Sequence, residues 1–354
     1  MTQKQTSILG FLTLFAVLAA LWLLFGESHD RSPQQQTHLL PKLSAQINDV
    51  AKIEISDALN STHLVRENGS WSIAEKSGHE ANSTQLRAIL RGLADAQIAL
   101  VKTDNPDLYE RIGLGESALH LVLKDKTDKV IVALDIGRRS FENRSFMTFV
   151  RPLDGARSYL VSGLPEIRAE ASNWLDPTLF SIERRRIARI DIQHNNGETL
   201  SIRRSDPRSL FAIQDLAAGT KEKDSLPTDM LANAFTEILS EDVRPADELD
   251  ETELLYTAHL HSFDGFVLTL SLYDTGDETG DAWAVGEATA HIPDEEDLPD
   301  AQTALDMSPE TEATRFNRQH MGWAYRLPAS KAIALGKTLE DLVENAPQDP
   351  DDGA

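Results

Sequence analysis

The chain has 354 residues, enough for two domains of ordinary size, and it carries a formal net charge of −23. A surface this acidic repels phosphate backbones, which argues against a nucleic acid as partner. The sequence has no cysteine, which excludes disulfides, thiolate metal sites and a cysteine nucleophile.

The first element along the chain is the apolar segment ILGFLTLFAVLAALWLLF, residues 8–25. Its 18 uncharged residues are close to the minimum for a helix that crosses a bilayer, so it predicts a single-pass transmembrane anchor. A cleaved signal peptide is the alternative, although the apolar region of a signal peptide is usually shorter. Lys4 and the amino terminus lie before the segment, against Glu27, Asp30 and Arg31 after it, and this small charge bias favours a cytoplasmic stub at 1–7. The bulk of the chain is then expected outside the cytoplasm.

A polar tether, residues 26–49, leads to the first predicted folded element. The stretch VAKIEIS alternates apolar and polar residues, which is typical of a half-buried strand. The Asn68-Gly69 pair then predicts a tight hairpin, because both residues accept the positive φ angles of such a turn. An amphipathic helix follows, with Asn82 or Ser83 as its cap, and further strand patterns come after it.

These elements recur in the same order in the second half of the chain. VAKIEIS at Val50 returns as IARIDIQ at Ile187, and Phe211 takes the place of Trp71. A second amphipathic helix, predicted over 226–239, repeats the apolar stripe of the first. Later residues match at one offset, namely His120 with His259, Asp125 with Asp264, Asp135 with Asp274, and Gly137 with Gly276. The sequence therefore predicts an α+β fold of two tandem copies, each an antiparallel β-sheet packed by an amphipathic helix.

The repeated pattern also gives the predicted domain boundaries. Repeat 1 is expected at 50–166, an inter-repeat connector at 167–186 and repeat 2 at 187–345. Repeat 2 contains an acidic, proline-containing insertion at about 291–316, which we expect to be a mobile loop. The acidic tail at 346–354 is expected to be disordered.

The same periodicity predicts which side chains form the cores of the repeats. Trp71 and Trp174 are assigned to these cores, because packing explains the two tryptophans more simply than a stacking platform for a ligand does. The predicted core comprises Ile53, Ile55, Trp71, Leu86, Leu90, Leu93, Trp174, Ile190, Ile192, Phe211, Leu231, Phe235 and Ile238.

Few residues stand in a pattern that carries chemistry. His259 and His261 lie on one face of a predicted strand and, with Asp264 nearby, could begin a zinc site. The sequence favours the alternative of histidines on a half-solvated strand face and an aspartate in a hairpin turn, because Val122 stands at the position of His261 in repeat 1. The acidic loop at 274–281 fails the ligand spacing of an EF-hand. We therefore expect no catalytic residue, no cofactor and no bound metal.

Together these features resemble the bacterial family called domain of unknown function 4340. The resemblance rests on the apolar amino-terminal segment, the VAKIEI strand with its tryptophan hairpin, the strand ending in DIG, and the join WLDPTLFSIERRRIARIDI. It covers about residues 1–280. Proteins of this family are membrane-anchored and extracytoplasmic, and many are encoded beside ABC-type transporter components of the gliding-motility class.

The resemblance implies a non-enzymatic accessory protein of the bacterial inner membrane, with its bulk in the periplasm, whose partner is an ABC transporter permease or an auxiliary subunit. An extracytoplasmic ligand-binding module that uses the groove between the repeats is the alternative, followed by a metal-dependent hydrolase. The sequence leaves the oligomeric state and any transported substrate open.

Overall fold

The computed structural model describes residues 37–142, 144–223, 225–250, 253–291 and 307–344. The predicted stub, the anchor at 8–25, the tether up to residue 36 and the tail at 346–354 lie outside the described residues. Within the described ranges, no helix combines the length and the apolarity needed to cross a membrane. Short helices and antiparallel sheets make up the described chain, which confirms the predicted α+β class.

The first half of the chain begins with a short helix and alternates strands with one longer helix. The helices are α1 (Leu43–Gln46) and α2 (Ser83–Asp95). The strands are β1 (Val50–Ser56), β2 (Ser61–Glu67), β3 (Ser70–Ile73), β4 (His79–Glu80), β5 (Gln97–Val101), β6 (Leu119–Asp125), β7 (Val130–Glu142), β8 (Ser145–Pro152) and β9 (Tyr159–Ser162).

The second half has the longer strands near its centre and most of its helices towards its end. The strands are β10 (Thr178–Ser181), β11 (Ile187–His194), β12 (Thr199–Arg203), β13 (Ala212–Ile213), β14 (Lys221–Glu222), β15 (Glu237–Leu239), β16 (Asp242–Pro245), β17 (Leu254–Ser262), β18 (Phe266–Asp274), β19 (Ala282–Ala290), β20 (Trp323–Leu327) and β21 (Val343–Glu344). The helices are α3 (Ser225–Ala234), α4 (Pro309–His320), α5 (Ala329–Leu335) and α6 (Leu339–Leu342).

The two large sheets have matching strand orders. One sheet has the order β4-β3-β2-β1-β6-β7-β8-β9-β5, and the other has the order β13-β12-β11-β17-β18-β19-β20-β16. When β1 is aligned with β11, the run β3-β2-β1-β6-β7-β8-β9-β5 of the first sheet aligns strand by strand with the whole of the second sheet. Two small two-stranded sheets, β10-β15 and β14-β21, complete the described structure.

The chain divides into two compact lobes. Lobe 1 contains the described residues of 37–59 and 87–167, and lobe 2 contains those of 60–86 and 168–344. The boundary between the lobes therefore falls at two places in the sequence. One lies at the start of the predicted connector at 167–186, and the other sets apart the segment 60–86, which belongs to lobe 2.

The predicted core residues are all buried, with at most 7% of any of these side chains exposed. In β1 and β11 the buried positions alternate, so Ile53 and Ile55, like Ile190 and Ile192, point to the covered face of their strands. Burying each such side chain contributes roughly 1.5–3 kcal/mol to stability. The hairpin at Asn68-Gly69 has the predicted left-handed backbone, with φ of 50° and 92°. Asn82 caps α2, since its Oδ1 accepts from the amides of Thr84 and Gln85 at 3.1 and 3.0 Å.

The second amphipathic helix is shorter than the sequence predicts. Helix α3 ends at Ala234, whereas the helical pattern extends to residue 239. Residues 237–239 instead form β15, whose backbone pairs with β10 of the connector. Ile238 is buried in this strand pair, but Leu239 is 42% exposed and takes no part in a helical stripe.

The predicted mobile insertion at about 291–316 needs a similar correction, because its end is helical. Residues 292–306 lie outside the described residues, but α4 begins at Pro309. Ser308 caps this helix, and Pro309 at its first position has a backbone angle that suits a helix start. Ala313 and Phe316 bury one face of α4 against β18 and β19. The acidic composition of this segment therefore gave no indication that its end forms the packed helix α4.

Candidate functional site: a pocket in lobe 2

The two histidines predicted as weak metal candidates lie on one face of β17. Their ring centroids are 6.5 Å apart. His259 Nδ1 lies 2.9 Å from the hydroxyl of Thr269, and His261 Nε2 lies 3.1 Å from a carboxylate oxygen of Asp191. Among the described residues there is no group of three or more potential ligands placed to hold a metal ion.

Asp264, the third metal candidate, binds an arginine instead of joining the histidines. Arg186 Nε donates to Asp264 Oδ2 at 2.7 Å, and its Nη2 donates to Glu312 Oε2 at 2.6 Å. One guanidinium thus joins the end of the connector to the turn before β18 and to helix α4. A half-buried arginine between two carboxylates has its charge neutralised, so we assign this cluster a role in holding α4 in place.

Beside this cluster lies a pocket of about 690 Å³, here called the lobe-2 pocket. Its walls are residues 79–84 at the start of α2, residues 176–186 of the connector, helix α4 and Tyr325 of β20. Phe180, Phe266 and Phe316 supply an aromatic side. Phe180 and Phe266 stack with ring centroids 5.8 Å apart, and Phe316 meets Phe180 edge to face at 6.1 Å.

The polar side of the pocket is a chain of three hydrogen-bonded rings. His79 Nδ1 lies 2.9 Å from the carbonyl oxygen of Glu80, which accepts but cannot donate, so this nitrogen carries the proton. His79 Nε2 is then the acceptor of the Tyr325 hydroxyl, at 3.1 Å. The hydroxyl oxygen in turn accepts from His320 Nδ1, at 2.8 Å. This order of donors and acceptors places the proton of each neutral imidazole on its Nδ1.

Burial keeps all three rings uncharged. It lowers the pKa of the His320 imidazole from 6.5 to about 4, with a smaller effect from the charge of His79. Burial also lowers the pKa of His79 and raises the pKa of the Tyr325 phenol. Near neutral pH, His320 Nε2 is therefore an acceptor, because Nδ1 already donates to Tyr325, and no donor among the described residues bonds to it.

The pocket thus combines aromatic surface with an imidazole acceptor and a cation. Arg315 is exposed on the same helix, lines the pocket, and has no ion-pair partner among the described residues. Aromatic surface with a few polar groups of fixed orientation is the composition of binding pockets in general, and 690 Å³ falls within their usual size.

The sequence pattern did not reveal this site. His79 and His320 are far apart along the chain, and neither stands in a motif. The local signal available was the spacing of Phe316 and His320, which places both on one face of α4 with ring centroids 4.5 Å apart. That signal was hidden because the helix itself was taken for a mobile loop.

A comparison with protein families gives one match. The family described as Domain of unknown function (DUF4340) matches residues 71–254, just over half of the chain. The chain belongs to this family. The DUF4340 region supplies His79 and the connector side of the pocket, whereas α4 and Tyr325 come after its end. No curated protein and no solved structure matches the chain.

Proposed function

We propose that this protein is a membrane-anchored extracytoplasmic accessory protein that binds a partner protein through the lobe-2 pocket and catalyses no reaction. The observation that carries the proposal is the pocket itself, in which a stacked aromatic side faces a neutral imidazole acceptor and an exposed arginine. The three phenylalanines are at most 7% exposed, so they form the floor of a pocket that can receive one side chain of a partner, as pockets at the centre of protein interfaces do.

Binding explains the three-ring chain better than catalysis does. With a pKa of about 4, His320 is a weak base at neutral pH, whereas an efficient general base has a pKa close to the working pH. Thr178 and Ser181 line the pocket, but neither hydroxyl has a hydrogen bond to His320 within the described chain. A nucleophile and its base normally lie within hydrogen-bonding distance of each other.

The partner class follows from the family resemblance. Many proteins of this family are encoded beside ABC-type transporter components, so the proposed partner is a permease or an auxiliary subunit of such a complex. In this proposal residues 8–25 anchor the chain with its amino terminus in the cytoplasm, which would put the pocket on the periplasmic side of the inner membrane. A small-molecule ligand in the same pocket is the second candidate, because 690 Å³ also suits a ligand of modest size.

Gene duplication accounts for the architecture of this binding protein. The equal strand order of the two large sheets, together with the repeated sequence pattern, supports two tandem copies of one α+β unit. The pocket walls include residues of both copies, since 79–84 belong to repeat 1 and Tyr325 belongs to repeat 2. A binding site of this kind therefore needs the duplicated chain.

The test is affinity purification of the anchored protein from membranes in mild detergent. We expect the wild-type protein to recover an ABC permease and its ATPase, and Arg315→Glu to lose them because the pocket cation is reversed. Arg208→Glu, an exposed arginine of the same lobe outside the pocket, is the matched control and should keep the partner. Recovery of the wild-type protein alone, or equal recovery by Arg315→Glu, would contradict the proposal. A small molecule that copurifies with the wild type and not with Arg315→Glu would favour the second candidate.

A further inference from the structure

The hairpin of β7 and β8 carries two phenylalanines on its surface. Phe141 and Phe146 stand opposite each other near the end of the hairpin, with ring centroids 5.0 Å apart. They are 63% and 59% exposed. Two adjacent exposed aromatic rings form an apolar patch in a chain that otherwise presents a strongly acidic composition. Such a patch indicates an interaction surface.

Three arginines lie close to the two phenylalanines in the sequence. Arg138, Arg139 and Arg144 lie within seven consecutive residues, against one acidic residue in the same stretch. All three arginines are exposed, and the guanidinium of Arg139 lies 4.9 Å from the ring centre of Phe146. We call Arg138, Arg139, Phe141, Arg144 and Phe146 the tip patch. Its positive charge is opposite in sign to the net charge of −23 of the whole chain.

The strand register places the tip patch close to the point where the chain enters lobe 1. His38 bridges to Gln97, Gln97 pairs with Ser162, and Ser162 pairs with Met147, the neighbour of Phe146. Three steps between adjacent strands amount to roughly 15 Å. The first described residues and the tip patch therefore lie at the same end of the sheet.

The covalent chain limits how far this end of lobe 1 can lie from the anchor. Residues 26–36 separate Phe25 from Thr37, and even a fully extended chain of that length spans at most about 40 Å. The tip patch is thus confined to the neighbourhood of the bilayer, provided that residues 8–25 are retained as the anchor.

We propose that the tip patch docks lobe 1 onto the surface of a bilayer that contains anionic phospholipid. This inference rests on the proposed anchor. The phenyl rings enter the boundary between headgroups and acyl chains, and Arg138 and Arg144 bind lipid phosphates, whereas Arg139 is paired with Glu166 at 3.2 Å. A lipid surface fits better than an acidic protein because the tip patch pairs apolar rings with cations at the end of the lobe where the described chain begins.

A spin label tests the docking, since a chain without cysteine accepts one label at one chosen site. Ser145→Cys places it beside Phe146, and Asp154→Cys places it in an exposed loop after the other end of β8. The full chain is reconstituted in nanodiscs with or without phosphatidylglycerol. We expect the label at 145, in discs with the anionic lipid, to lose accessibility to a water-soluble nickel chelate and to gain accessibility to oxygen. The label at 154 should stay in water.

Substitutions in the tip patch identify the groups responsible. Phe141→Ser with Phe146→Ser should return the label at 145 to water without changing the circular dichroism spectrum, because both rings are exposed. Arg138→Gln with Arg144→Gln should abolish the dependence on phosphatidylglycerol. If the labels at 145 and 154 are equally accessible to the nickel chelate in anionic discs, the proposal is overturned. A protein is then the remaining candidate for binding to the tip patch.

Carbonate extraction of membranes separates this proposal from that of the anchor. A protein that resists extraction but keeps the label at 145 in water retains its anchor and lacks the docking. A protein that is extracted, yet shields the same label on phosphatidylglycerol vesicles, has the docking surface without the anchor.

Discussion

The hydroxyl of Tyr325 shows how one atom sets the state of two other side chains. Because the hydroxyl donates its single proton to His79 Nε2, it can act only as an acceptor towards His320 Nδ1, and so the second nitrogen of His320 points away from the chain of rings. A proton added to either imidazole would place a charge among buried rings. The fold of the lobe-2 pocket therefore favours the neutral forms of both imidazoles, and their protonation at acid pH should destabilise it.

Acid should destabilise the protein through His320. The imidazole has a pKa of 6.5 when unfolded and about 4 when folded, so between these values the unfolded chain binds more protons. Its contribution to stability is complete above pH 6.5 and is lost progressively as the pH falls towards 4. The loss amounts to roughly 3 kcal/mol, at about 1.4 kcal/mol for each pKa unit. Urea denaturation across this range should show a weaker pH dependence for His320→Gln than for the wild type.

His291→Gln is the control for this measurement, because His291 is exposed and lies outside the pocket. It should leave the pH dependence of stability unchanged. The glutamine at 320 can still donate to Tyr325, so the comparison concerns the slope with pH rather than the absolute stability. Equal slopes for the wild type and His320→Gln would show that His320 is not held neutral by the fold.

The elements that sequence predicted well are those determined by neighbouring residues. Alternating apolar residues predicted β1 and β11, and the Asn68-Gly69 pair predicted its hairpin, because these patterns need only the local chain. The predicted end of the second amphipathic helix was wrong, because residues 237–239 form a strand that pairs with β10, which lies far away in the sequence. Tertiary pairing of this kind leaves no local signal.

Helix α4 was missed for a different reason. Its surroundings are acidic and contain prolines, which is typical of a mobile loop, and its apolar residues are few. What fixes the helix is contact with β19, where the side chain of Asn317 bonds to the backbone of Ala288 in both directions. The pocket could not be predicted without this helix, since α4 supplies both Arg315 and His320.

Asn317→Ala should measure how firmly α4 is held. Asn317 Oδ1 accepts from the amide of Ala288 at 2.8 Å, and its Nδ2 donates to the carbonyl oxygen at 2.7 Å. Loss of the side chain leaves both groups of a buried residue unpaired, so the free energy of unfolding should fall by about 1–3 kcal/mol. Arg318→Ala, an exposed neighbour on the same helix, should change it by less than about 0.5 kcal/mol. Equal urea midpoints for the two variants would mean that α4 does not depend on this contact.

At the scale of the whole chain, the two sheets share one strand order although only scattered residues match between the repeats. The strand order is the same because the buried face of each sheet requires a fixed strand register. The amino acids at exposed positions can differ between the repeats without changing that register. The same freedom let positive charge collect in the tip patch while the chain as a whole became acidic. If the tip patch docks on a bilayer as proposed, this separation of charge favours that orientation, because anionic lipid repels the acidic surface and attracts the tip patch.

The proposed orientation in the membrane gives the last prediction. If residues 8–25 span the inner membrane with the amino terminus in the cytoplasm, everything after them is exported, including the end of the chain at Ala354. Alkaline phosphatase fused after Ala354 should then be active, because it folds only in the periplasm, and a green fluorescent protein fused at the same place should stay dark. A fusion to the chain without residues 1–25 is the control and should give the opposite pair of signals. A silent phosphatase with a fluorescent partner fusion on the full chain would place the carboxyl terminus in the cytoplasm, and the periplasmic binding role would fall with it.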